Sequence, residues 1–126
     1  MGEAKRILVV EDDDVARELV RRTLVRRGYE VTTAADGIEA YELAVKVVPD
    51  LIITDIQMPA ADGAHLVRRV RDTPELLLTP IIVTTGYGSG SATLTLAQGA
   101  DAFEPKPVDP ESLLRSVERL LSKGPL

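Results

Sequence analysis

The stretch LIITDIQMP, residues 51–59, decides how the rest of the chain is read. Leu51, Ile52, Ile53 and Thr54 make an apolar, β-branched run of the kind found in strands covered on both faces, and such strands belong to parallel sheets. Asp55 follows directly. A bare carboxylate carried out of a buried strand would cost several kcal/mol, so it must be hydrated, paired, bound to a metal or used chemically. Met58-Pro59 then marks a turn.

Similar runs lie on either side. RILVV (6–10) reads as a strand, and Val15, Leu19, Val20, Thr23 and Leu24 recur at helical spacing until Gly28. EVTTA (30–34) reads as a second strand; Asp36-Gly37 opens a helix carrying Ile38, Tyr41, Leu43, Ala44 and Val47, and Pro49 ends it. LIIT (51–54) is the third strand. After a loop to Gly63, a helix turns Leu66, Val67 and Val70 inward and Arg68, Arg69 and Arg71 to water. IIVT (81–84) is the fourth strand, a Gly/Ser-rich stretch (86–91) and a weak helix to Gln98 follow, and AFE (102–104) is the fifth. The last helix spans 109–122, with Asp109 as N-cap and Pro110 in its first position. Five strands alternating with five helices predict an α/β fold with a parallel sheet and helices on both faces. No linker or repeat divides the chain, so residues 1–126 are expected to form one domain.

Composition narrows the function. No apolar run approaches the ~20 residues that cross a bilayer, and Met1 to Arg6 does not open a signal peptide, so a cytoplasmic protein without membrane partners is expected. The absence of cysteine excludes disulfides and thiolate metal sites. A net charge of −5, no tryptophan and a single phenylalanine argue against direct nucleic-acid binding, which needs a basic surface and often stacking aromatics.

In a parallel sheet all carboxyl ends lie on one edge, where open α/β folds bind ligands. Strand one runs into Glu11-Asp12, strand three into Asp55, strand four into Thr84-Thr85 and strand five, past Glu104-Pro105, into Lys106. Three carboxylates cannot sit together ionised without a counter-charge, and oxygen-only donors suit a hard cation such as Mg²⁺. An ammonium cannot ligate that cation. Lys106 and a threonine hydroxyl suit an anion beside it, and a phosphoryl group fits, with a carboxylate as the nucleophile that becomes an aspartyl phosphate.

At these spacings ILVVEDD, DIQMPAADG, VTTGYG and KP resemble the receiver domain of two-component response regulators, over roughly residues 6 to 122. The resemblance implies a flavodoxin-like (βα)5 sandwich with strand order 2-1-3-4-5. It implies that Asp55 accepts a phosphoryl group from a phosphohistidine on a sensor histidine kinase or histidine phosphotransfer protein. It implies direct Mg²⁺ ligation by Asp12 and Asp55, water-mediated help from Glu11, a further ligand in the Gln57 backbone carbonyl, and phosphoryl contacts from Lys106 and Thr85. Thr85 and Phe103 occupy the switch positions, although Phe103 has no hydroxyl to exchange between environments. Glu11 stands where aspartate is frequent, Gln57 bears on phosphoryl lifetime, and Ala60 and Ala61 depart from the commonest loop.

Each residue alone has a plainer reading. EDDD (11–14) could be a helix-start acidic cluster, with Asp13 or Asp14 as cap; Asp55 could form a turn, Lys106 could be solvated, and Thr85 could be only a strand residue. Their joint placement favours a site. His65 reads as a surface residue, and the arginines at 17, 21, 22, 26 and 27 as a solvated face of the first helix, where the resemblance places kinase docking. The alternative function is a haloacid-dehalogenase-type Mg-dependent phosphatase, which wants a second acid where Gln57 stands. A mononucleotide binder would want a Gly-rich loop after strand one, where carboxylates stand instead. Poor helix propensity in GYGSGSATLTLAQ (86–98) suits a segment ordered by phosphorylation. That would reshape the face of the fourth helix, fifth strand and fifth helix for a downstream protein, an attached output domain or a self-dimer.

Overall fold

The computed structural model describes residues 3–56, 63–86 and 99–122. Five strands, β1 (Arg6–Val10), β2 (Glu30–Ala34), β3 (Leu51–Asp55), β4 (Ile81–Thr85) and β5 (Ala102–Pro105), form one parallel sheet in the order β2-β1-β3-β4-β5. This is the flavodoxin-like order expected. Among the described residues the α-helices are α1 (Asp14–Arg26), α2 (Gly37–Val47), α3 (Gly63–Arg71) and the C-terminal α4 (Pro110–Ser122). The helix expected up to Gln98 falls outside the described residues. A short 3-10 turn at Pro74–Leu76, for which the sequence carries no periodic signal, leads into β4.

Strand alternation divides the core in two. Leu8, Val10, Ile52, Ile81 and Val83 face α2 and α3, where Ala40, Ala44, Leu66, Val67 and Val70 are buried. Ile7, Val9, Leu51, Ile53 and Ile82 face the other way, against Val20 and Leu24 of α1 and Leu113, Leu114, Val117 and Leu120 of α4. With both faces covered, β1, β3 and β4 read as continuous apolar runs, as parallel strands do.

Three expectations need correction. Val15 and Leu19 are not core residues: they are 77% and 56% exposed, because a helix turns about 100° per residue and only the Val20–Leu24 stripe meets the sheet. Ile38 is likewise exposed, and α2 packs through its alanines. Arg71 does not face water. Its guanidinium donates to the carbonyls of Leu76, Leu77, Thr79 and Gly99 and to Asp101 Oδ2, tying the end of α3 to both flanks of β4. Desolvation of this half-buried group lowers its pKa, with Asp101 opposing the shift. Gly99, at φ +123°, leaves room for the arginine, since a Cβ there would lie 2.7 Å from Arg71 Cγ.

The edge strand carries a buried acid. Glu104 is 6% exposed, and its two carboxylate oxygens accept from the hydroxyls of Ser112 and Ser116 on α4 at 2.7 and 2.8 Å. Removing only the donors leaves a buried carboxylate unsatisfied, which is costlier than replacing the whole set by apolar groups. Ser112→Ala with Ser116→Ala is therefore expected to destabilise the fold by about 2–4 kcal/mol in urea unfolding, and adding Glu104→Leu to recover most of that loss.

Candidate functional site

The carboxyl ends of β1, β3, β4 and β5 meet at one edge, and each delivers a polar residue. β1 continues one step past Val10, where Glu11 N–H donates to Ala34 O at 3.0 Å. The chain then turns into α1 through Asp12 and Asp13. Asp13 is the cap, its Oδ2 accepting from Ala16 N–H at 2.7 Å, which satisfies one of the unpaired amides of the helix start. β3 carries Asp55 as its last residue, one position further than expected, and the register sets it beside Thr84. Lys106 follows β5, its backbone N–H donating to Thr85 O at 2.8 Å, and the Lys106–Pro107 peptide is cis.

Glu11 and Asp55 are each 5% exposed, and the Lys106 ammonium lies between them, 2.6 Å from Glu11 Oε1 and 3.0 Å from Asp55 Oδ2. Asp12 is exposed beside the pair. One oxygen from each of Glu11, Asp12 and Asp55 falls within 4.8 Å of the others. Three carboxylates against one ammonium leave two negative charges, the complement of a divalent cation, and an all-oxygen donor set suits Mg²⁺. The residues present therefore fit that ion.

The electrostatics reflect crowding. Burial raises the pKa of Glu11 and the charge of Asp55 adds to the shift, while Lys106 and the Asp13 amide act against it. Desolvation by itself pulls Lys106 down, but its hydrogen bonds to Glu11 and Asp55 outweigh this and leave its pKa raised. Lys106 thus stays charged.

Thr85 is buried at the end of β4, on the same edge, and Phe103 on β5 is 42% exposed. Gln57, expected to offer its carbonyl, lies outside the described residues. His65 is exposed on α3, as expected. One constraint escaped the sequence reading. Gly63 opens α3 directly against the phosphoacceptor candidate, where an added Cβ would lie 2.0 Å from the Asp55 carbonyl oxygen, and its N–H donates to Ile56 O at 2.8 Å. The glycine in DIQMPAADG was visible; the backbone it has to clear was not. Beside the site, a cavity of about 270 Å³ opens between α1 and the segment after β5, lined by Val15, Leu19, Pro107 and Val108 and also by Glu11 and Lys106.

The model of the response regulator receiver domain matches residues 7–118. The chain is similar to the response regulator MprA of Mycobacterium leprae, with 41% identity over 119 residues, covering 94% of this chain and 51% of that protein. It therefore spans about half the length of the curated relatives it matches. Among solved structures it is similar to the chemotaxis protein CheY4 of Vibrio cholerae, with a TM-score of 0.88, 38% identity, and coverage of 93% and 98% of the two chains. It also resembles the receiver domain of a signal transduction histidine kinase from Syntrophus aciditrophicus, with a TM-score of 0.88, 36% identity, and coverage of 95% and 92%.

Two outcomes follow from the geometry. Gly63→Ala forces the start of α3 away from Asp55, and a loss of about 2–3 kcal/mol is expected in denaturant unfolding, at the upper part of the range for overpacking. The second concerns pH. A folded-state pKa raised above the unfolded value gives stability that is present at low pH and lost as pH rises through the raised value. In Mg²⁺-free protein, Glu11→Gln should therefore lack a downward step in stability that the parent shows above the ordinary glutamate range. Superimposable stability–pH curves for the two proteins would contradict it.

Proposed function

The chain belongs to the response regulator receiver-domain family, and from that premise we propose that residues 1–126 act as one phosphoacceptor domain, with Asp55 taking the phosphoryl group. The observation that carries the assignment is the pairing of Asp55 with Lys106 at the rim of the acidic cluster. A carboxylate oxygen of Asp55 attacks the phosphorus of a phosphohistidine, the P–O bond forms, and the P–N bond breaks with its electron pair leaving on the imidazole. Lys106 turns its ammonium from the carboxylate pair toward the transferring oxygens, and the Thr85 hydroxyl donates to one of them. Asp12 and Asp55 would hold Mg²⁺ directly, Glu11 through water and Gln57 through its carbonyl. When bound, the ion supplies positive charge that offsets the phosphoryl oxygens.

The domain is on this reading a switch that assists its own phosphorylation and dephosphorylation, and not a turnover enzyme. The phosphodonor, a sensor histidine kinase or histidine phosphotransfer protein, would approach over α1 and the cavity beside Lys106, where Val15 and Leu19 stand out among arginines. Phosphorylation would act on Thr85 and Phe103 and so on the face around β5 and α4, for a downstream protein, an attached output domain or a second copy. No helix among the described residues is long and apolar enough to cross a membrane. Nothing in the matches supports the haloacid-dehalogenase alternative, whose second acid would stand at Gln57.

Incubation with Mg²⁺ and acetyl phosphate is expected to add one phosphoryl group, read by intact-mass spectrometry. Asp55→Asn should abolish the addition, because an amide is a poor nucleophile and a weaker ligand. Equal labelling of parent and variant would place the acceptor elsewhere.

A further inference from the structure

Of the arginines on and just after α1, one differs from the rest in what it touches. Arg21 and Arg22 pair with Glu18 on the exposed side, drawing the pKa of that carboxyl down to about 2, and Arg27 pairs with Glu118 on α4. Arg17 instead folds back over the helix start. Its NH1 donates to the Glu11 carbonyl at 2.9 Å and its NH2 to Asp14 Oδ1, with the side chain 22% exposed. A helix N-terminus is an unfavourable place for a cation, since the dipole there is positive. The four consecutive acids Glu11–Asp14 more than reverse that field.

The carbonyl that Arg17 takes is the one at which the sheet stops. Glu11 N–H still bonds Ala34 O, but beyond it the chain turns away from its neighbouring strands, and a backbone carbonyl leaving a sheet needs a donor from elsewhere. Arg17 supplies it. Glu11 Oε2 accepts from Asp13 N–H at 3.0 Å and Oε1 from Lys106, so every polar atom of Glu11 is held. With Asp13 capping Ala16, the turn from strand to helix is held at Glu11 and at Asp13. Asp12, the exposed acid of the cluster, sits inside this turn, and its direction depends on the backbone that Arg17 pins.

We propose that Arg17 is the positioning residue of the acidic loop: by clamping the Glu11 carbonyl and Asp14 together it aims the Glu11 and Asp12 carboxylates at the place beside Asp55. Charge alone would predict the opposite sign. A cation near a Mg²⁺ site weakens binding by repulsion, so if Arg17 acted only as a charge its removal would tighten Mg²⁺ binding. A planar fork that holds a carbonyl and a carboxylate at once is not reproduced by lysine.

The inference rests on the phosphoacceptor reading for its Mg²⁺ part, and the test has two arms so that the two stand apart. In Mg²⁺-free protein, amide hydrogen exchange of residues 11–14 is measured for the parent, Arg17→Lys, Arg17→Ala and Arg21→Ala. Both Arg17 variants should exchange faster in this loop by roughly tenfold, the size expected when a charge-assisted hydrogen bond is lost. Arg21→Ala, with the same change in charge as Arg17→Ala, should match the parent. Titration calorimetry with Mg²⁺ should then show roughly tenfold weaker binding in both Arg17 variants, as for other outer-shell supports of metal ligands. Parent-like exchange in Arg17→Lys, or tighter Mg²⁺ binding in Arg17→Ala, would overturn the proposal. If even the parent binds no Mg²⁺, the metal reading fails, and the exchange arm alone decides the clamp.

Discussion

The Lys106 ammonium holds together an edge that would otherwise push itself apart. Glu11 and Asp55 are both buried at the ends of neighbouring strands, and without a cation between them their ionised forms would repel in a setting where water screens little. Lys106 reaches both because β5 lies beside β4 and its chain turns back over the edge immediately after the strand. A buried pair of this sort is weak evidence for stability, since desolvation offsets much of the attraction. On the function proposed above, the pair keeps a place ready for a phosphoryl group and its metal.

The remainder of the structure fixes where that edge is. Apolar residues alternate along β1, β3 and β4 between one core beneath α2 and α3 and another beneath α1 and α4, so a slip of one residue in any strand would exchange its two faces. Register is thereby tight, and Asp55 cannot drift along β3. Gly63 closes the other side of Asp55 by letting α3 begin against its carbonyl. Asp55 is thus held by packing before and behind it.

Polar groups buried away from the site act as ties between elements. Arg71 gathers four carbonyls and Asp101 at the base of β4, and Glu104 binds β5 to α4 through two serines. On the proposed function, these ties flank the switch positions Thr85 and Phe103. Arg17 does for the acidic loop what these two do for β4 and β5, supplying a partner where regular backbone pairing ends.

Among the described residues, the strand and α-helix positions were legible in the sequence because period-two and helical spacing of apolar residues are local properties. Asp109 with Pro110 signals a helix start wherever it occurs, and α4 begins there. The candidate site was legible for a topological reason: once parallel strands are granted, Glu11, Asp12, Asp55, Thr85 and Lys106 stand at or just past strand ends that share an edge. Tertiary structure alone decided the rest. Val15 and Leu19 have the spacing of core residues, yet among the described residues no strand or helix packs on their side of α1, and they line the cavity that faces Pro107 and Val108. Arg71 reads as facing water in sequence and is drawn inward by a partner 28 positions away, and the strand residue Glu104 finds a partner 8 positions on. Gly63 reads as an ordinary turn glycine until β3 is placed against it. Apolar pattern tells which side of an element seeks cover; only packing shows what lies there, and so which polar groups must find partners inside.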